Sequence, residues 1–101
     1  MLTDNQQIHY DQFYETTHNN KFLDTKTELL VGLSAAIAMN CEPCTAYYLK
    51  KLKHQQVPKG EIQEVIAKVM AVAAGQKKLQ TQHAMKEFHI DLESFEQTEL
   101  A

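Results

Sequence analysis

The sequence contains no arginine and no tryptophan. Its ten basic residues are all lysine, set against thirteen acidic ones, for a net charge of −3. Planar, bidentate recognition of phosphate usually recruits arginine, so nucleic acid is not an expected partner. No stretch approaches the roughly 20 apolar residues of a membrane span, so no membrane partner is expected either. The first residues, MLTDNQQ, have neither a basic n-region nor an apolar h-region, so no signal peptide is expected and the expected location is a reducing cytoplasm. Repeats, low-complexity blocks and long linkers are absent. The 101 residues suit one domain, 1–101, and not two. A single core of that size is marginal, which favours a homo-oligomer. There are only two cysteines. In a reducing compartment such a pair is redox-active or metal-binding more often than a structural staple.

No segment alternates with period two, and what is present is helical. Residues 5–18 read as a first helix with Ile8, Phe13 and Tyr14 as its apolar contacts, closed by the turn signal Asn19-Asn20. Thr25-Lys26-Thr27-Glu28 has the form of a capping box, with Asp24 as a competing cap. The helix it opens runs to about Asn40. Its Leu29, Leu30, Leu33, Ile37 and the small residues between them leave almost no polar face. A helix apolar all round is buried in a core or between subunits.

Pro43 lies just inside the next helix, where a missing N–H costs nothing. That helix carries Tyr47, Tyr48, Leu49 and Leu52, with Lys50, Lys51, Lys53 and His54 toward its C-terminus, as the macrodipole favours. Pro58 reads as the first residue of another helix. Ile62, Val65, Ile66, Val69, Met70 and Ala73 give it the best amphipathic stripe in the chain. Gly75 is its expected C′ residue. Residues 77–89 then form a separate helix through Leu79, Ala84, Met85 and Phe88. The acidic tail 91–101, with Asp91, Glu93, Glu96 and Glu99, is a short helix on Leu92 and Phe95 or a frayed end. The expected fold class is all-α.

The stretch with chemistry in it is Leu29–Tyr48, where the apolar helix leads into Cys41-Glu42-Pro43-Cys44. Two cysteines at i and i+3 on a helical turn have Cα atoms about 5 Å apart, inside the disulfide range. A helix N-terminus favours thiolate over thiol, and exchange needs a thiolate with a second thiol beside it. Three readings stay open: redox chemistry, two inert buried thiols, or a metal site. Metal fits worst. A closed zinc site wants four ligands, and His9, His18, His54, His83 and His89 are scattered at spacings that do not point back to the cysteines. They read as solvated surface residues. The thioredoxin arrangement is excluded because no βαβ pattern flanks the motif.

Leu23-Asp24-Thr25-Lys26-Thr27, the alanine-rich run into Cys41-Glu42-Pro43-Cys44, the exit Thr45-Ala46-Tyr47, and the stretch from Glu61-Ile62 to Ala73-Ala74-Gly75 together resemble the carboxymuconolactone decarboxylase family. Within that family they resemble its alkylhydroperoxidase D-like branch. The similarity covers about 23–75 without a gap. It implies an all-α helical bundle with the CxxC at a helix N-terminus, assembled as trimers or hexamers. It also implies a peroxide- or disulfide-linked cycle fed by a thiol or dithiol reductant, with no cofactor beyond the two thiols. By position, Cys44 corresponds to the attacking thiol and Cys41 to the resolving one.

The active branch places a Glu twelve residues before the first cysteine and a His four after the second, which relay protons from the attacking thiol. Here those positions hold Leu29 and Tyr48. Leucine carries no proton, and tyrosine, with a reference pKa of about 10, is a poor base at neutral pH. Tyr48 reads either as a hydrogen-bond donor to a thiolate or as packing. Glu28, one residue off the family position, reads either as a displaced relay or as the capping-box Glu. The expected function is a thiol-dependent oxidoreductase of the alkylhydroperoxidase D type with weak peroxidase activity. A non-catalytic redox-sensing or structural oligomer is the alternative, and a lactone decarboxylase the third.

Overall fold

The computed structural model describes residues 1–97, and Glu99 lies outside them. Four α-helices follow in order: α1 (Asp4–Thr16), α2 (Thr25–Ala38), α3 (Glu42–His54) and α4 (Lys59–Glu87). No strand occurs among the described residues. Among the described residues of the acidic tail there is one 3₁₀ turn, Leu92–Ser94, capped by Asp91, and Leu92 and Phe95 are exposed. Among the described residues no helix is long and apolar enough to cross a membrane.

Each boundary has a local cause. Thr3 caps α1 with a reciprocal box: its hydroxyl accepts the Gln6 N–H, and the Gln6 carbonyl side-chain oxygen accepts the Thr3 N–H. At α2 the expected Thr25–Glu28 box does not form. Asp24 is the cap, accepting the Thr27 N–H at 2.7 Å, and Thr27 holds its carboxyl below the usual carboxylate range. A short aspartate directly before the first turn reaches that N–H without help from Glu28. Pro58 caps α4 from just outside it, one position earlier than expected.

Helices α2, α3 and α4 each end in a Schellman motif whose left-handed residue is not glycine. The residues are Asn40, Gln56 and His89, at φ near 57°. In each motif the next residue's N–H bonds back to the final turn: Cys41 to the Ala36 carbonyl, Val57 to Leu52 and Ile90 to Met85. Gly75 therefore ends nothing. It lies inside one continuous helix of 29 residues, where two helices were expected. A helical interior tolerates an isolated glycine at about 1 kcal/mol relative to alanine, and the strong helix formers around it outweigh that cost.

The core is small. α2 packs against α3 and α4, and no other helix pair packs among the described residues. Among the described residues only Leu29, Leu33, Ala36 and Leu52 are buried, with Leu30, Ile37, Tyr48, Val57, Ile62 and Val65 around them. So α2 is apolar all round yet buried on one face, and Val31 on the other is 53% exposed. α1 buries none of its residues, so Ile8, Phe13 and Tyr14 have no core within this chain. α4 likewise has no buried residue.

The consequence is an open shape. The radius of gyration is 20.5 Å, where a compact chain of this length has about 13 Å. The chain exposes 9088 Å², against about 5,800 Å² expected of a folded monomer of its mass. The excess is roughly 3,000 Å², the scale of an obligate interface.

Candidate active site

The link between α2 and α3 is three residues long, and its geometry sets the site. Cys41 serves two helices at once: its N–H closes the end of α2, and it is the N-cap of α3. The Cys44 N–H donates to the Cys41 sulfur at 3.3 Å. The Thr45 hydroxyl and N–H both donate to the Cys41 carbonyl oxygen, at 2.8 and 2.9 Å. Pro43 in the first turn gives up no hydrogen bond that the helix would have made. Cys41 and Cys44 are joined as a disulfide with Cα atoms 5.2 Å apart, as the helical spacing predicts. Cys44 is exposed and Cys41 half-buried.

The pair opens onto a cleft of about 490 Å³, lined by Tyr14, Ala35, Met39, Pro43, Tyr47 and Tyr48 among others. The lining is mostly apolar. Tyr48 lies across Gly32, so closely that a Cβ there would fall within its ring. Burial pushes the Tyr48 hydroxyl above its ordinary value, and the Glu28 carboxylate, Tyr14 and Tyr47 add to the effect. Tyr48 is thus a protonated hydrogen-bonding group at neutral pH. The Tyr47 and Tyr48 rings meet edge to face at 5.1 Å, and the Lys51 ammonium lies 5.6 Å from the Tyr47 ring centre.

The other sequence candidates separate. Leu29 is a core residue, 6% exposed. Glu28, not engaged at the helix start, points to His18, with Oε1 3.6 Å from Nδ1. His18 is the residue that sequence reasoning missed by reading it as surface. It comes from the turn after α1 and stands edge-on to Tyr14 at 4.6 Å and 6.4 Å from the Tyr47 ring. A spacing rule does not find it, because its partners belong to other helices. Of the remaining histidines, His83 pairs with Glu87 along exposed α4. No cluster of three or more metal-ligating side chains occurs among the described residues.

The model of the carboxymuconolactone decarboxylase family matches residues 8–87, a span wider than 23–75 that takes in most of α1 and all of α4. No curated protein and no solved structure matches the chain.

Proposed function

The chain belongs to the carboxymuconolactone decarboxylase family, and from that premise we propose that it is a thiol-dependent oxidoreductase of the alkylhydroperoxidase D type. The observation that carries the reading is the Cys41–Cys44 disulfide across the first turn of α3, with Cys44 an exposed residue and Cys41 half-buried at the N-cap.

That asymmetry supports a division of labour. A reductant thiolate attacks the exposed Cys44 sulfur and the S–S bond breaks. Cys41 leaves with the electron pair as a thiolate, which the Cys44 N–H and the helix N-terminus stabilise. A second reductant thiol then displaces Cys44, and the reductant departs as a disulfide. In the oxidative half, the Cys44 thiolate attacks the terminal oxygen of a hydroperoxide. The O–O bond breaks, Cys44 becomes a sulfenic acid, and the alkoxide takes a proton to leave as alcohol. Cys41 attacks the sulfenic sulfur, expels hydroxide that leaves as water, and closes the disulfide. Both thiols must be re-reduced each cycle, which suits a reducing cytoplasm.

A second reading has its own support. The family's relay glutamate corresponds to Leu29, which here belongs to the core, so a redox-sensing module with slow turnover fits the same fold. The test is single-turnover oxidation of the reduced protein by one equivalent of hydroperoxide, followed by mass and free-thiol count. Rapid loss of two thiols and two hydrogens at neutral pH is expected. Oxidation only at high pH, tracking an ordinary thiol, favours the sensing module instead.

The working unit is a homo-oligomer, a trimer or hexamer by family resemblance. The excess surface and the unburied α1 support assembly. A 13-residue helix is marginal in water alone, so α1 needs a surface to lie on. Light scattering at micromolar concentration is expected to give a mass of at least three chains. A monomer mass with α1 still helical would contradict this.

A further inference from the structure

We propose that His18 and Glu28 form a proton-storing pair for the cysteine centre, linked to it through Tyr48. The proposal rests on the oxidoreductase reading above and supplies what that reading lacks. Leu29 cannot carry a proton, and an unperturbed thiol is only a few per cent ionised at pH 7.

Three observations carry the assignment. First, Asp24 alone caps α2, so Glu28 is free of the role its sequence position suggests. Second, the His18–Glu28 contact is the most shielded acid–base side-chain pair among the described residues. Its side chains are 27% and 17% exposed, against 51% and 39% for Lys26–Glu61 and 76% and 59% for His83–Glu87. At 3.6 Å the contact is too long for a direct hydrogen bond. It joins two segments that are not adjacent along a helix, so helical spacing does not account for it. Third, a cavity of about 250 Å³ containing Glu28 lies against the cysteine cleft, and Gly32 and Tyr48 line both. Tyr48 is therefore the side chain common to the cavity that Glu28 lines and the cleft that the cysteines line. A neutral phenol can accept one proton as it donates another, and so passes a proton without ionising.

The groups that face His18 are Glu28 from α2, Tyr14 from α1 and Tyr47 from α3, with Lys51 beyond the Tyr47 ring. In the oxidative half-reaction, the Cys44 thiol proton passes by way of Tyr48, across the cavity that Tyr48 shares with Glu28, to the Glu28–His18 pair. The Cys44 thiolate forms the S–O bond as the O–O bond breaks. The stored proton returns to the alkoxide, which leaves as alcohol. The second thiol proton, from Cys41, leaves with the expelled hydroxide as water.

The test follows free-thiol loss in a single turnover of the full-length reduced protein with tert-butyl hydroperoxide, across about pH 6 to 9, the range around an ordinary thiol pKa. His18→Gln and Tyr48→Phe are expected to slow oxidation about 100-fold at neutral pH, with a rate that then rises with pH as an ordinary thiol does. Glu28→Gln falls between these and wild type. Added imidazole restores the rate of His18→Gly, a response that a merely structural role would not give. His83→Gln, on the remote pair, matches wild type. Tyr48→Phe keeps the ring over Gly32, and with Glu28→Gln it carries the test if His18 variants fold poorly. A His18→Gln protein with wild-type rate and pH profile overturns the relay alone. A wild type that loses no thiols at any pH overturns the oxidoreductase reading, and the relay with it.

Discussion

Cys44→Ser is expected to reduce thiol-dependent peroxide turnover to background, and Cys41→Ser to stop the cycle after one oxidation. The two losses differ because the two sulfurs do. Cys44 is exposed, so an incoming peroxide or thiol meets it first. A serine hydroxyl there neither forms a sulfenic acid nor accepts a thiol. Cys41 is half-buried at the N-cap and holds the Cys44 N–H. Serine is a good N-cap, so Cys41→Ser keeps the helix start and removes only the resolving thiol. Its oxidised product is a sulfenic acid, or a mixed disulfide when reductant is present. Intact-protein mass after one equivalent of peroxide separates the outcomes: one added oxygen in Cys41→Ser, no change in Cys44→Ser, and two hydrogens lost in wild type. Full peroxidase activity in both single variants would falsify the division of roles.

The largest effect on stability is expected at Leu33. It is fully buried, as is Leu52, and both belong to the cluster that joins α2 to α3. Removing a buried leucine side chain costs about 2–5 kcal/mol, through lost transfer energy and the cavity left behind. With only four buried residues among those described, the neighbours have few other contacts with which to compensate. Leu33→Ala is therefore expected to lose about 3 kcal/mol in urea unfolding, and its midpoint is expected to rise with protein concentration if assembly supplies the missing burial. Val31→Ala, on the exposed face of the same helix, is the comparison. It costs less than Leu33→Ala at every concentration unless a partner subunit covers that face. A loss below about 1 kcal/mol in Leu33→Ala would contradict the core assignment.

Much of this protein is legible in one dimension because its helices are specified locally. The cysteine turn is the clearest case. An i, i+3 spacing on a helical backbone dictates the Cα separation, so the disulfide needs no long-range information. The lysines at the end of α3 and the stripe on α4 are similarly local. Helix ends were less legible. Glycine marks a left-handed cap only where the chain turns, and the residues that turn here are Asn40, Gln56 and His89. Their side chains pay a small conformational cost that the Schellman hydrogen bonds offset. Gly75 sits where the local preference for helix on both sides runs straight through it.

Tertiary structure alone decided which apolar residues became core. Composition marks α1, α2 and α4 as apolar on some face, but burial depends on what arrives opposite, and within one chain only α3 and α4 reach α2. It also decided the surroundings of the cysteines. His18 and Glu28 lie ten positions apart and meet because the turn from Thr17 to Asp24 brings His18 beside the first turn of α2. Tyr48 reaches Gly32 because that position has no side chain to hold it off. The sequence by itself determined the helices and the sulfur pair, since hydrogen bonds and covalent geometry within a turn do not depend on distant residues. The tyrosines beside the sulfurs and the His18–Glu28 contact required the packed chain, since contact between helices depends on the path of the turns that join them.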